Sequence, residues 1–418
     1  MASTHGRHFQ LRRTGQTYRR KSGIAQPDDL LCGFKREIIM KAKTIKGNST
    51  EEINFALAQC LSDGYSPTLA LVFISVQQDR EAVCELLHER SIQIFGSTTS
   101  GEFISSEISN GGIAIMLLDI NPAYFKVTFQ ETGSISVFES AKKFGKDGMQ
   151  AFNSPAFIIA SGWLHTDGEE IIKGIEAGCD GDVPIFGGMA GDDLALSEPI
   201  VFTYGKSSTS GIVAVIIDQD KIDITGIVTC GWKPIGITKT ITKSAGNIVY
   251  TIDNQPALDV VIKYLGLNVD NEISDSMVVN LGAYYPLQLE REDAPPVMRT
   301  AMLGNKADRS LIYAGTVPQG AKVRFSLPPD FDAIDTVVDE CVELKTNEYN
   351  KADAVIMFSC ISRHLSFGVM TSEEIERVIN VWNAPFIGFF CYGEFGKSKA
   401  GKHEFHNNTC CVVALKEK

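Results

Sequence analysis

Two stretches of the sequence share one frame, Gly-x-x-x-x-Gly-Glu-Phe: GSTTSGEF at residues 96–103 and GFFCYGEF at residues 388–395. Each follows a short apolar run, so each reads as the end of a strand entering a polar loop that closes on a carboxylate. Glycine lets backbone approach a ligand closely or adopt positive φ. Thr98, Thr99 and Ser100 add hydroxyls, and Glu102 and Glu394 add charge. A shorter version, GGMAGDD at residues 187–193, brings Asp192 and Asp193. Carboxylates converging from such loops suit a ligand with an amino or guanidino group. The competing account is a turn in which each Glu bonds its own loop amides.

A second set lies in FSCISRHLSFG, residues 358–368, where Cys360 ends an apolar run and Arg363 and His364 follow. An Arg held at a strand end suits bidentate recognition of a carboxylate or phosphate; the alternative is an Arg tying its loop to a neighbouring acid. Cys360 is a nucleophile if His364 lowers its pKa, whereas buried free Cys is common in cores. His165 and Asp167 in SGWLHTDGEE line a pocket or cap a helix. His403 and His406 in GKHEFHNN lack the zinc-protease pattern. No zinc ligand spacing, P-loop, nucleophile elbow, kinase set or dinucleotide fingerprint is present. The expectation is a binding protein with no catalytic residue and no metal.

The elements that hold these loops recur three times. NSTEEINFALAQCL has helical spacing with a Ser49–Glu52 capping box; TLALVFISV is a strand, DREAVCELLHER a helix, IQIFG a strand, then the loop and the return strand GIAIMLLD. The order repeats through VFESAKKFGKDGM, PAFIIASG, a helix near 167–177, VPIFGG and SGIVAVIID. It returns in AIDTVVDECVELK, ADAVIMFSC, a helix with a Thr371–Glu374 box, PFIGFF and TCCVVALK. Continuously apolar strands predict sheets covered on both faces. The fold class is α/β, with repeated helix-strand-helix-strand-loop-strand units forming mixed sheets in two associated domains. Between the second and third units, MVVNLGAYYPLQL, VMRTAML, SLIYAG and KVRFSL read as four strands. The expected division is a basic tail or mis-assigned start at 1–39, an N-terminal domain at 40–250 and a C-terminal domain at 251–418.

A chain of 418 residues exceeds one ordinary core. Its net charge of −12 argues against a general nucleic-acid or anionic-membrane surface. No apolar run approaches the ~18–20 residues of a membrane span. Ten scattered cysteines without C-x-x-C, and no secretory signal pattern, point to a reducing cytoplasm.

In order along the chain, FGSTTSGEF, PIFGGMAGDD, GWKPIGITKTITKSAGNIVYTIDNQPAL, YYPLQL, VPQGAKV, FSCISR and IGFFCYGEFG resemble the FIST family, a sensory and signal-transduction module with N-terminal and C-terminal parts. The likeness runs from about residue 50 to the end. It implies small-ligand sensing, with an amino acid or related metabolite as the ligand class, and a separate signalling partner, because no F-box, kinase or cyclase segment is apparent. Some relatives look like haem sensors, so haem is a minor alternative to a cofactor-free site. On this reading Arg363 recognises a carboxylate, while Glu394, Glu102, Asp192 and Asp193 recognise an amine. Tyr285 supplies packing and a hydroxyl, and Cys360, Thr98 and Thr99 line the site between the two parts. The rivals are a Cys360-dependent enzyme and a ligand-free scaffold.

Overall fold

Apolar strands that are buried on both faces need two cores, and the computed structural model builds both. It describes residues 40–418 except 133–134, 163–166, 265, 267–273, 293, 331, 349–350 and 400. The tail expected at 1–39, and His165, lie outside the described residues. In the first unit the parallel strands Leu69–Ile74 and Gln93–Thr98 pair in register, and the return strand Ile113–Asp119 runs antiparallel beside the first. Lys41–Gly47 adds an outer strand against the return strand. The second unit repeats this order with Phe125–Gln130, Ile212–Asp218, Pro155–Ser161 and Ile185–Met189. The third does so with Ile222–Thr229, Cys410–Glu417, Ala354–Cys360 and Phe386–Cys391. Leu71, Phe73, Ile158, Ala160, Ile356 and Phe358 face one core shared by all three sheets. The alternate residues of the same strands face the helices: Ala70, Val72 and Ile74 in the first unit, Phe157, Ile159, Val355 and Met357 in the other two.

Each unit also gives a hairpin away. The first unit's Glu102–Phe103 and Ile108–Ser109 extend the third unit's sheet. The third unit's Glu394–Lys397 and His403–His406 extend the second's. The second unit's Val201–Thr203 and Lys206–Ser208 extend the first's. The exchange is cyclic, so the three units close a ring.

Helix starts follow local chemistry. Ser49 accepts from the amide of Glu52, whose carboxylate turns back to the amide of Asn48. Asp79 and Ser136 cap their helices in the same manner. Thr371, expected to form a box with Glu374, does not: its hydroxyl bonds His364 and Glu374 bonds Arg363. The stretch read as the strand MVVNLGAYY instead lies mostly in the helix Asp275–Tyr284, capped by Ser274, and only Leu287–Leu289 is a strand. A short apolar run does not distinguish the two by periodicity; within this helix Gly282 lets the backbone approach Ala301, since a Cβ there would lie 2.0 Å from the Ala301 carbonyl oxygen.

The segment between the third unit's outer strand Ile222–Thr229 and its helix Asp332–Glu348 forms a separate eight-stranded sheet, including Lys233–Ala245, Ile248–Ile252 and Lys322–Leu327, with its own core. Residue 250, where the sequence places a boundary, lies within the strand Ile248–Ile252. This inserted half docks on the third unit's hairpin through buried Arg299, which donates to the Phe405 carbonyl and to Glu169, and through Thr300 with Asn408. Among the described residues no helix is long and apolar enough to cross a membrane.

Candidate functional site at the junction of ring and inserted half

The repeated Gly-Glu-Phe frame marks the hand-over of a hairpin from one sheet to the next. Phe103 stands opposite Gly388, Phe202 opposite Gly96, and Phe395 opposite Gly187. The position of Glu102 and Glu394 in the remaining joint is held by Val201, so Asp192 and Asp193 are not the counterparts of the two glutamates that the sequence pattern implied. The loops do meet: Ser100 donates its amide to the Phe390 carbonyl, Gly191 to Thr98, and Met189 to Gly393. Their backbones fill the meeting point.

The carboxylates in them turn inward. Buried Glu102 accepts from the Thr99 hydroxyl at 2.7 Å and the Gly112 amide at 2.8 Å. Glu394 accepts from the Thr409 hydroxyl at 2.6 Å, the Thr409 amide at 3.2 Å and the Cys391 thiol at 3.1 Å. Asp192 collects the amides of Leu196 at 3.0 Å, Ser197 at 2.6 Å and Glu198 at 3.0 Å, together with the Tyr392 hydroxyl. Asp193 accepts from the Ser75 hydroxyl at 2.7 Å and the Gln77 amide group at 3.2 Å. Thr98 donates to the Gly191 carbonyl at 2.6 Å. None of these carboxylates projects from the loops as a free amine receptor.

Arg363 is likewise committed. Its Nε lies 2.9 and 3.0 Å from the two carboxylate oxygens of Glu374 and its Nη2 lies 2.5 Å from one of them, both side chains being 0% exposed. The carboxylate it reads belongs to its own chain. Tyr285 lines a small cavity inside the inserted half with Leu258 and Phe325; it is Tyr284 that reaches the ring, donating to the Leu365 carbonyl at 3.0 Å.

Cys360 reaches the junction. It borders a recess of ≈ 10 Å³ with Ile361, Ser362, Leu365 and Tyr392 of the third unit, Val279, Thr300 and Met302 of the inserted half, and Leu194 and Leu196 of the second unit. Tyr392, Thr300, Met302 and the two leucines were missed from sequence. Tyr392 sat unnoticed inside the repeated frame, and nothing local in Thr300 or Met302 says that their strand end faces the ring. Burial, and next the charge of Glu394, push the Cys360 thiol well above its ordinary range. A larger open cleft of ≈ 210 Å³ lies at the tip of the third unit's hairpin. Lys399 pairs with Glu343 there and Glu340 accepts from Thr229, and among the described residues its lining comes from the third unit alone.

Burial pushes Glu394 up to about 8 and Glu102 up to about 6. An acid whose folded pKa stands above its unfolded value of 4.5 holds more proton folded than unfolded between the two. Its contribution to stability therefore declines as pH rises through that window. Glu394→Gln should flatten the pH dependence of the urea midpoint between pH 5.5 and 8.5 relative to wild type. An unchanged slope would mean that Glu394 ionises in the fold as readily as in the unfolded chain.

A ring of three hairpin-exchanging α/β units with a β-rich insert, and a recess where the two meet, defines a mixed α/β protein of two cooperating parts. The family model of the FIST N domain matches residues 68–255 and that of the FIST C domain matches residues 257–397. The chain belongs to the FIST family, which is associated with sensory and signal transduction. No curated protein matches it.

Proposed function

We propose that the chain is a sensor that binds a small molecule at the junction recess and passes the change to a separate protein partner. The observation that carries this reading is the composition of the recess. A loop of the second unit, the strand end of the third and a helix of the inserted half all border it, so an occupant would alter how three parts of the fold fit together. Asp193, next to the loop's leucines, ties that loop to Ser75 and Gln77 at the strand end of the first unit. Through that link a change at the recess would reach the strand end of the first unit.

An amino-acid ligand draws little support, because the four acids named from sequence are hydrogen-bonded within the chain and Arg363 is paired with Glu374, its Nη1 alone lacking a partner among the described residues. A Cys360-dependent enzyme is disfavoured because the thiolate it needs is the form that burial and Glu394 oppose. For haem, His364 and His403 already hydrogen-bond Thr371 and the Ile185 carbonyl, and buried His406 bonds the Gly396 carbonyl. We therefore keep a cofactor-free site in the proposal.

A thermal-shift screen of the full chain with amino acids, organic acids, neutral small molecules and haem tests the reading. A ligand at about a hundredfold its Kd adds about 2.7 kcal/mol, which raises Tm by roughly 3–5 °C for a chain of this size. If no member of the panel moves Tm, the scaffold reading takes its place.

A further inference from the structure

Resting on the sensor reading above, we infer that the junction recess takes an uncharged, largely apolar small molecule, and that residues 193–197 are the flap that lifts to admit it. The walls contribute Met302, Ile361, Leu365 and Val279, and among the described residues no side chain bearing a formal charge borders the space. The hydroxyls at its edge are already engaged. Tyr392 donates to Asp192 and accepts from the Leu194 amide at 3.1 Å, and Thr300 donates to Asn408. Ser362 hydrogen-bonds the Cys360 thiol, whose burial disfavours the thiolate. A charged group entering here would lose its water and find no counter-charge, which is far more costly than burying apolar surface.

The flap carries the second line of evidence. Asp193, Leu194 and Leu196 have φ of 54°, 65° and 51°. Asp tolerates this left-handed region, but leucine rarely adopts it. Two strained leucines within three residues mark a segment held in place by its surroundings. The holding groups are visible: Asp192 gathers the amides of Leu196, Ser197 and Glu198 around its carboxylate, and Tyr392 clamps that carboxylate from the third unit. Leu194 and Leu196 both border the space, and Leu194 stays 38% exposed. With only ≈ 10 Å³ free beneath, about one water's worth, room for a ligand comes from raising the flap. The ligand's apolar surface then replaces the leucine contacts, and the backbone strain is relieved.

Met302 reports directly on the recess. In protein labelled with [methyl-¹³C]methionine, with its resonance assigned through Met302→Leu, titration with 1-hexanol should shift the Met302 methyl signal saturably. Hexanoate and hexylammonium, of equal chain length, should bind at least about tenfold more weakly. Val279→Phe, which fills the space from the inserted half, should abolish the hexanol shift while leaving the other methionine signals dispersed. Equal affinity for the charged probes, or hexanol binding that survives Val279→Phe, overturns the inference. If amino acids or organic acids raise Tm without moving the Met302 signal, the sensor reading stands and this assignment of its site fails. A flat response of Met302 to every probe likewise removes it.

Discussion

Gly96→Ala should destabilise the chain by about 3 kcal/mol or more, and much of that loss should disappear when Phe202 is shortened to Leu. A Cβ at Gly96 would lie 2.1–2.4 Å from three atoms of the Phe202 ring. Phe202 is 1% exposed and packed in the core beneath the first unit's helices, so the ring cannot swing aside without vacating that core. The double variant should therefore fall short of additivity by about 1–3 kcal/mol, measured by urea unfolding of the two single variants, the double and wild type. The other two joints provide the contrast. A Cβ at Gly388 would meet the Met357 carbonyl at 2.6 Å as well as Phe103, and one at Gly187, whose φ is +152°, would meet the Ile159 carbonyl at 1.9 Å. Backbone cannot be trimmed away, so Phe103→Leu and Phe395→Leu should rescue their glycine partners poorly. Strict additivity at the Gly96 joint would show that the glycine serves something other than the seating of Phe202.

Arg363→Met should cost about 3–5 kcal/mol, since it leaves the Glu374 carboxylate buried without its partner. Both side chains are fully buried, and the guanidinium also sits 4.7 Å from the centroid of the Phe367 ring. The expected signature is the double variant. Arg363→Met combined with Glu374→Leu removes both charges and should recover most of the loss, to within about 1–2 kcal/mol of wild type. Were Arg363 a ligand receptor, the single variant would abolish binding with little effect on stability, and adding Glu374→Leu would recover nothing. A double variant as unstable as the sum of its parts would mean that the pair holds more than itself, for instance the seat of the helix Ile361–Phe367.

How much of this was legible from sequence differs from feature to feature. The parallel pairs, their crossover helices and the return strands follow from runs such as LALVFI and AVIMF, which are apolar at every position because both faces are covered. The Ser49–Glu52 helix start was readable because its chemistry lies within one turn. Thr371–Glu374 had the same spelling and misled, because Arg363, eleven residues back, takes the glutamate. The repeated frame reads as a pair of loops with a carboxylate each, while its role in the first copy lies in the phenylalanine that follows and the glycine it seats against, Phe103 on Gly388. The remaining joint is hidden in the sequence for a related reason. GGMAGDD supplies acids after a glycine, but a longer loop separates it from the true counterpart, Val201–Phe202.

The sequence by itself determined the central strands and crossover helices of the ring, their threefold recurrence and the family, but not the outer strands such as Lys41–Gly47 or the exchanged hairpins. Each depends on periodicity and turn chemistry acting over a few residues. Only the tertiary structure decided which sheet each hairpin joins, that Glu102, Glu394, Asp192 and Arg363 are spent inside the chain, and that Cys360 and Tyr392 meet Thr300 beneath a strained loop. Those outcomes depend on partners far apart in sequence competing for the same buried donors and the same space, and no local window contains the competitors.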